Sequence, residues 1–344
     1  FNSNSVFAKR AAIVIDFDTQ EVLFEVNADT LNYPASLAKM MTIYIVFDYL
    51  DKSKLNWNTK LLVSKNAAAQ RRTKIYVEEG TFITVHNAVR ALIIKSANDV
   101  ATVVAENISG SERKFAKLMT KYARNIGMEK TTFKNASGLR NRAQLTTARD
   151  IAILSHALIT NFPEYYKLFS EKKFTWKDKT FTTHNRLMLN YDGADGIKTG
   201  YILDSGFQLA FSAVRNNKRL IGVYFGGDTA KQRDQTLAFL MNKEFEELKI
   251  YNTKKTTETT QKKSSYKFKI VVGTFKYKKN AERQIKVIQK HYPKSTNNKE
   301  AKVVKIKLDN GHLYESRFQF FTKKEANIAC SRLKKYDRDC FIRG

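Results

Sequence analysis

The chain is short of the residues that build metal centres and covalent frameworks: 344 residues hold two cysteines, five histidines and three prolines. The histidines show no ligand spacing, so no metal is expected, and no other cofactor is expected either. Two cysteines, Cys330 and Cys340, suit either a reducing compartment or an oxidising one with a single bridge. Long apolar runs are missing as well. The longest, Met40 to Phe47, falls far below the ~18 residues of a membrane span, so no transmembrane segment is expected. Acidic residues are scarce, 33 against 61 Lys and Arg, for a net charge of +28. A balance of that kind points to a polyanionic partner: nucleic acid, anionic lipid or an acidic polymer such as cell wall. The charge is uneven. Residues 252–344 carry 25 Lys/Arg and 8 Asp/Glu, and the preceding 251 residues carry 36 and 25.

What is present reads as two globular parts. Ala11–Asp16 and Glu21–Glu25 flank a polar turn and predict a β-hairpin. Pro34 breaks the chain, and from Ser36 apolar residues recur at helical spacing. Asn87–Ile94, Asp99–Asn107, Ser111–Ile126 and Thr147–Thr160 predict further helices. Strands are expected after Gly196, at Gly206–Val214 and Arg219–Phe225, then a helix over Gln232–Tyr251. Strands at both ends with helices between imply an α/β domain whose single sheet joins the two termini. Asn252–Ser265 is rich in Thr, Lys, Gln and Ser and reads as a linker. Beyond it, two strand-to-helix halves with Val303–Leu308 and Cys340–Arg343 complete a β-α-β-β-α-β order. The expected division is 1–251, linker 252–265, and 266–344.

Ser36-Leu37-Ala38-Lys39 sets a hydroxyl and an amine on one face of a helix, the nucleophile and base of an acyl-transfer enzyme. The spacing alone means little, because it recurs at Ser111–Lys114, Ser170–Lys173, Ser264–Lys267 and Ser331–Lys334. Its company distinguishes it. Ser96-Ala97-Asn98 lies between two predicted helices, and Lys198-Thr199-Gly200 opens a predicted strand and has no second copy of its pattern. In this order the three motifs match a known catalytic signature.

Around them, Pro34–Thr42, Ser96–Ala101, Asn135–Leu139, Thr147–Asp150, His184–Leu187 and Asp195–Tyr201 resemble the low-molecular-mass penicillin-binding proteins of the D-alanyl-D-alanine carboxypeptidase family, over about residues 6–250. The resemblance implies a β-lactamase/transpeptidase-like domain, an antiparallel sheet flanked by helices with a helical subdomain. It also implies removal of the terminal D-alanine of peptidoglycan stem peptides, with β-lactams as inhibitors. Ser36 would attack, Lys39 would take its proton, and Ser96 would relay a proton to the departing D-alanine. Asn98 would orient Lys39 and the substrate amide. Lys198 and Thr199 would hold the carboxylate beside Gly200, and the backbone N–H groups of Ser36 and Tyr201 would bind the oxyanion. Arg149, Asn185 and His184 read as scaffold. Alternatives are a DD-endopeptidase, a serine β-lactamase, or a wall-binding protein without catalysis. The Glu-x-x-x-Asn pattern of one β-lactamase class is missing between Asp99 and Lys198.

The tail resembles the sporulation-related repeat (SPOR) domain, carried by Lys269–Phe275, Asn280–Glu282, Tyr314–Phe321 and Glu325-Ala326. Glycan strands are the partner this implies, with Tyr266, Phe268, Tyr314, Phe318 and Phe320 as candidate ring contacts. Alternation allows only a subset of these to face a ligand. A similar sheet also serves RNA-binding proteins, but fusion to a wall-trimming enzyme favours glycan, and no nucleic acid is expected. Cys330, in the last helix, and Cys340, in the last strand, form a candidate disulfide. A chain starting at Phe1 is what processing would leave, and a secreted or periplasmic, wall-associated protein is expected.

Overall fold

The structure, a computed structural model, describes residues 10–261, 268–296, 299–308 and 311–344. The chain divides into two compact units, Phe1–Leu248 and Lys249–Gly344. In the first, β1 (Ala11–Asp16) and β2 (Val22–Val26) form the expected hairpin. A 3-10 turn, Ala35–Leu37, leads into α1 (Ala38–Asp51). Then come β3 (Lys60–Leu62), α2 (Lys65–Ala68), β4 (Phe82–Thr84), α3 (Val85–Arg90), α4 (Asn98–Ser109), α5 (Glu112–Asn125), α6 (Ala148–Asn161) and α7 (Pro163–Tyr166). The hairpin β5 (Lys173–Trp176) and β6 (Lys179–Thr182) precedes α8 (Arg186–Asn190). Three long strands follow, β7 (Ala194–Ile202), β8 (Gly206–Arg215) and β9 (Lys218–Gly227), and then α9 (Ala230–Gln261).

The sheet order is β2-β1-β9-β8-β7, with every pairing antiparallel. The two termini of the unit therefore meet side by side at β1 and β9. Period-two alternation assigns the faces. Ile13 and Ile15 join the larger core with α1, α4 and α6, whereas Ala12 and Val14 join Leu237 and Met241 of α9. Helix α1 is buried on every side from Ala38 to Phe47, as a helix without a polar face must be. Strand β7 stands at the sheet edge. The Lys198-Thr199-Gly200 triplet lies in the middle of it, not at its opening as expected, because pairing with β8 already begins at Ala194.

The second unit contains β10 (Phe268–Phe275), α10 (Lys278–His291), α11 (Pro293–Thr296), β11 (Ala301–Leu308), β12 (Gly311–Phe321), α12 (Lys323–Lys334) and β13 (Phe341–Arg343). Its sheet order is β11-β12-β10-β13, and its core joins Ile270, Val272, Ile288, Phe318, Phe321 and Leu333. A capping box between Thr322 and Glu325 starts α12. Cys330 and Cys340 are joined as a disulfide, 5.2 Å apart at Cα. A second expectation changes: the linker segment is helical as far as Gln261. Nothing from Asn252 to Gln261 is Pro or Gly, so a helix already nucleated upstream propagates at little cost.

Candidate active site

The first turn of α1 builds the site. Ala35 adopts a left-handed φ of 45°, and Ser36 follows in the 3-10 turn, one turn before Lys39. Lys39 is fully buried. Its Nζ lies 3.1 Å from Ser36 Oγ, 2.7 Å from Asn98 Oδ1 and 2.6 Å from the Ser137 carbonyl. Three acceptors therefore surround one amine.

Each partner is held in turn. Asn98 is the first residue of α4, so it is not the helix cap. Its side chain instead accepts from Lys39, and its Nδ2 donates to the Arg71 carbonyl at 3.0 Å. Before it, the helix that starts at α3 widens to a π-helical turn over Ala91–Lys95 and ends on Ser96 at φ 60°. Such widened turns and left-handed residues recur at functional sites. Ser96 Oγ is buried and has no hydrogen-bond partner among the described residues. Ser137 sits in a loop pinned to α1 by Thr42, whose hydroxyl donates to the Ala136 carbonyl at 2.8 Å. Gly138, at φ +85°, lets that loop touch the Ala35–Ser36 backbone. A Cβ there would lie 1.7 Å from the Ala35 carbonyl oxygen.

The edge strand supplies the opposite wall. Lys198 is also buried, with its Nζ 3.1 Å from the Thr199 carbonyl. Burial, then the nearby Arg233, brings its pKa down to about 7. Burial and the charge of Lys198 hold Lys39 well below the usual lysine value. His184 is exposed at the cavity wall, and partial desolvation there, then the charge of Lys198, lowers its pKa below the usual histidine value.

Ser36, Ser96, Asn98, Thr199, Gly200 and Tyr201 all line one cavity of about 680 Å³. Three motifs far apart in sequence thus converge on one space. His184, read as scaffold from the sequence, lines it as well. Arg149 bridges Glu25 and Asp29 at the far hairpin, and Asn185 caps α8.

Two contributors escaped the sequence reading. The Ser137 carbonyl is a backbone group, signalled only by the turn-forming Asn135–Gly138 stretch. Arg233, at the start of α9, lines the cavity, yet a lone arginine in a basic chain carries no signal before the topology is known. Among the glycan candidates, Tyr266 lies outside the described residues. Phe318 is fully buried and belongs to the core, so it offers no ring to a ligand. Phe320 is 51% exposed. Its φ of 64° and the register break against β10 turn it outward while Phe321 points in. Phe268 and Tyr314 are half-buried.

Residues 2–229 match the D-alanyl-D-alanine carboxypeptidase family (peptidase S11), and residues 264–344 match the SPOR domain. The chain is similar to D-alanyl-D-alanine carboxypeptidase DacF of Bacillus subtilis, 34% identical over 74% of this chain and 66% of that protein. It is 36% identical to DacC of Escherichia coli over 65% of this chain and 58% of that one. It thus spans less than two thirds of the length of these curated relatives. Among solved structures, penicillin-binding protein 5 of Haemophilus influenzae aligns with a TM-score of 0.64 at 33% identity, over 66% of this chain and 68% of that one. Ampicillin-bound penicillin-binding protein D2 of Listeria monocytogenes aligns with a TM-score of 0.60 at 30% identity, over 71% and 99%. With its catalytic-type motifs gathered at one cavity and its first unit matched almost end to end, the chain belongs to the D-alanyl-D-alanine carboxypeptidase family and carries a SPOR domain in its C-terminal region.

Proposed function

We propose that the protein is a serine carboxypeptidase that removes the terminal D-alanine from peptidoglycan stem peptides. One observation carries this reading: a fully buried lysine amine 3.1 Å from the Ser36 hydroxyl, fixed on its other sides by Asn98 and the Ser137 carbonyl. A neutral amine has two hydrogens and one lone pair. With the hydrogens given to Asn98 Oδ1 and the Ser137 carbonyl, the lone pair is left for Ser36. Lys39 then accepts the Ser36 proton as Oγ attacks the carbonyl between the two D-alanines.

The negative charge on that carbonyl oxygen is met by backbone N–H groups of Ser36 and Tyr201. Collapse breaks the C–N bond, and the leaving amine takes a proton through Ser96, whose hydroxyl has no competing partner. Thr199, with Lys198 and Arg233 behind it, holds the terminal carboxylate. Water, deprotonated by the same amine, releases the shortened peptide and restores the Ser36 hydroxyl. β-Lactams acylate Ser36 by the same attack.

One class of serine β-lactamase activates its deacylating water with a glutamate; no Asp or Glu lines the cavity among the described residues, which favours the peptidase over that class. The C-terminal unit is proposed to hold the enzyme on wall glycan outside the cytoplasmic membrane, through Lys/Arg and the rings of Phe268, Tyr314 and Phe320. The domain division is proposed as 1–251 for catalysis and 266–344 for targeting. The test is release of D-alanine from a pentapeptide ending in D-Ala-D-Ala, followed beside turnover of a chromogenic β-lactam. D-Alanine release with slow β-lactam turnover is expected. Rapid β-lactam turnover without D-alanine would reverse the assignment.

A further inference from the structure

The charged side chains lining the cavity are all arginines: Arg72, Arg140, Arg186 and Arg233. Two of them already have a carboxylate partner within the protein. Arg233 forks onto Asp234 at 2.7 and 2.9 Å, and Arg140 pairs with Asp204. Arg72 and Arg186 are exposed and have no carboxylate partner among the described residues. Under the function proposed above, the substrate's terminal carboxylate already has Lys198, Thr199 and Arg233. Two free guanidiniums remain, facing a cavity with room for more than two alanyl residues.

Arg72 is fixed in place by its backbone neighbours. The Arg71 carbonyl accepts from Asn98 Nδ2 at 3.0 Å, and the Thr73 carbonyl from the Asn98 N–H at 2.7 Å. Thr73 Oγ1 donates to the Ser96 carbonyl at 2.7 Å. Asp99 accepts from the N–H groups of Ile75 and Tyr76, anchoring the segment further along. Arg72 therefore stands beside Asn98, the residue that orients the amide on the acyl-donor side. Beyond it the positive surface continues: Arg72, Lys74 and Lys179 gather around the exposed Tyr76 ring at 6.0, 5.2 and 5.9 Å.

We propose that Arg72 and Arg186 make the site selective for peptides in which the residue preceding the D-Ala-D-Ala pair carries a free side-chain carboxylate. This inference rests on the carboxypeptidase reading. A guanidinium without an internal partner binds a carboxylate with charge-assisted hydrogen bonds and has nothing to give up first. A carboxamide offers the same shape with weaker bonds, and an ammonium is repelled.

The test uses three acetylated tripeptides, X-D-Ala-D-Ala with X as glutamate, glutamine or lysine, and D-alanine release as the readout. The expected order of kcat/KM is glutamate, glutamine, lysine, with the first step about tenfold at low salt and shrinking at high salt. In R72Q/R186Q the glutamate-to-glutamine ratio falls to near one. The ratio is taken within each variant, so partial loss of activity does not disturb it. If the double variant fails to fold, R72Q and R186Q singly each lower the ratio. Equal rates on glutamate and glutamine peptides overturn the selectivity while leaving the carboxypeptidase reading intact, and a ratio that persists in the variants overturns the role of these arginines. No D-alanine from any peptide overturns the carboxypeptidase reading and this inference with it.

Discussion

At the scale of single residues, the chemistry turns on two lysines kept in a dry place. Lys39 must be neutral to act as base, and its burial beside Lys198 removes the proton below the usual lysine range. Lys198 must be charged to attract a carboxylate, and its pKa is about 7. The pH profile of kcat/KM, which reports the free enzyme, is therefore expected to be bell-shaped. It rises as Lys39 loses its proton and falls as Lys198 loses its own near pH 7. A profile still rising at pH 9 contradicts a charged Lys198 in binding. Lys39→Met should lower acylation by roughly 10³-fold or more, read from the rate of fluorescent-penicillin labelling.

Lys198 also costs stability. A lysine whose folded pKa lies below its unfolded value binds fewer protons when folded, so stability rises with pH between the two values and the penalty is greatest below the lower one. Among the described residues Lys198 Nζ makes one hydrogen bond, to the Thr199 carbonyl, so little polar pairing is lost on removing it. Lys198→Met is expected to be more stable than the parent by on the order of 1–3 kcal/mol at pH 6, with a smaller gap at pH 9. Thermal melts at the two pH values check this; a gap that widens with pH contradicts it. At this scale the side-chain constellation was legible in the sequence, because the three motifs carry their own spacing. The Ser137 carbonyl and Arg233 were not. A backbone acceptor has no letter in the sequence, and Arg233 comes near β7 only through the strand order.

At the scale of elements, the site depends on how closely one loop approaches another. Gly138 stands where a side chain cannot, against the Ala35 carbonyl. Gly138→Ala would displace the loop that presents the Ser137 carbonyl to Lys39. Penicillin acylation should slow by about 10- to 100-fold, measured by stopped flow. A rate within twofold of the parent means the loop is not part of the positioning. The longer helices and the β1–β2 hairpin were legible from their periodicity, and α1 from its all-apolar character; the four- and five-residue helices α2, α7, α8 and α11 were not. The short pairs β3–β4 and β5–β6 were not: strands of three or four residues give too little alternation to see. The helical continuation to Gln261 was missed for a related reason. A polar helix has no apolar stripe and reads as a linker.

At the scale of the whole molecule, the charge divides as the proposed labour does. Residues 252–344 carry 25 Lys/Arg against 8 Asp/Glu, so attachment to an anionic wall should weaken with salt, and deleting residues 264–344 should abolish retention on purified sacculi while leaving D-alanine release from soluble peptides within about threefold. Retention by the truncated chain contradicts the targeting role. The two-unit plan was legible from composition. Which rings of the tail stay exposed was not, because the bulge at Phe320 reverses the alternation that would otherwise bury it with Phe318.

The most direct test of the central claim is intact-protein and peptide mass spectrometry after incubation with benzylpenicillin. The account predicts one penicilloyl group per chain, on the peptide containing Ser36, and none in Ser36→Ala. An adduct on any other residue, or one that survives that substitution, would show that the hydroxyl beside Lys39 is not the nucleophile.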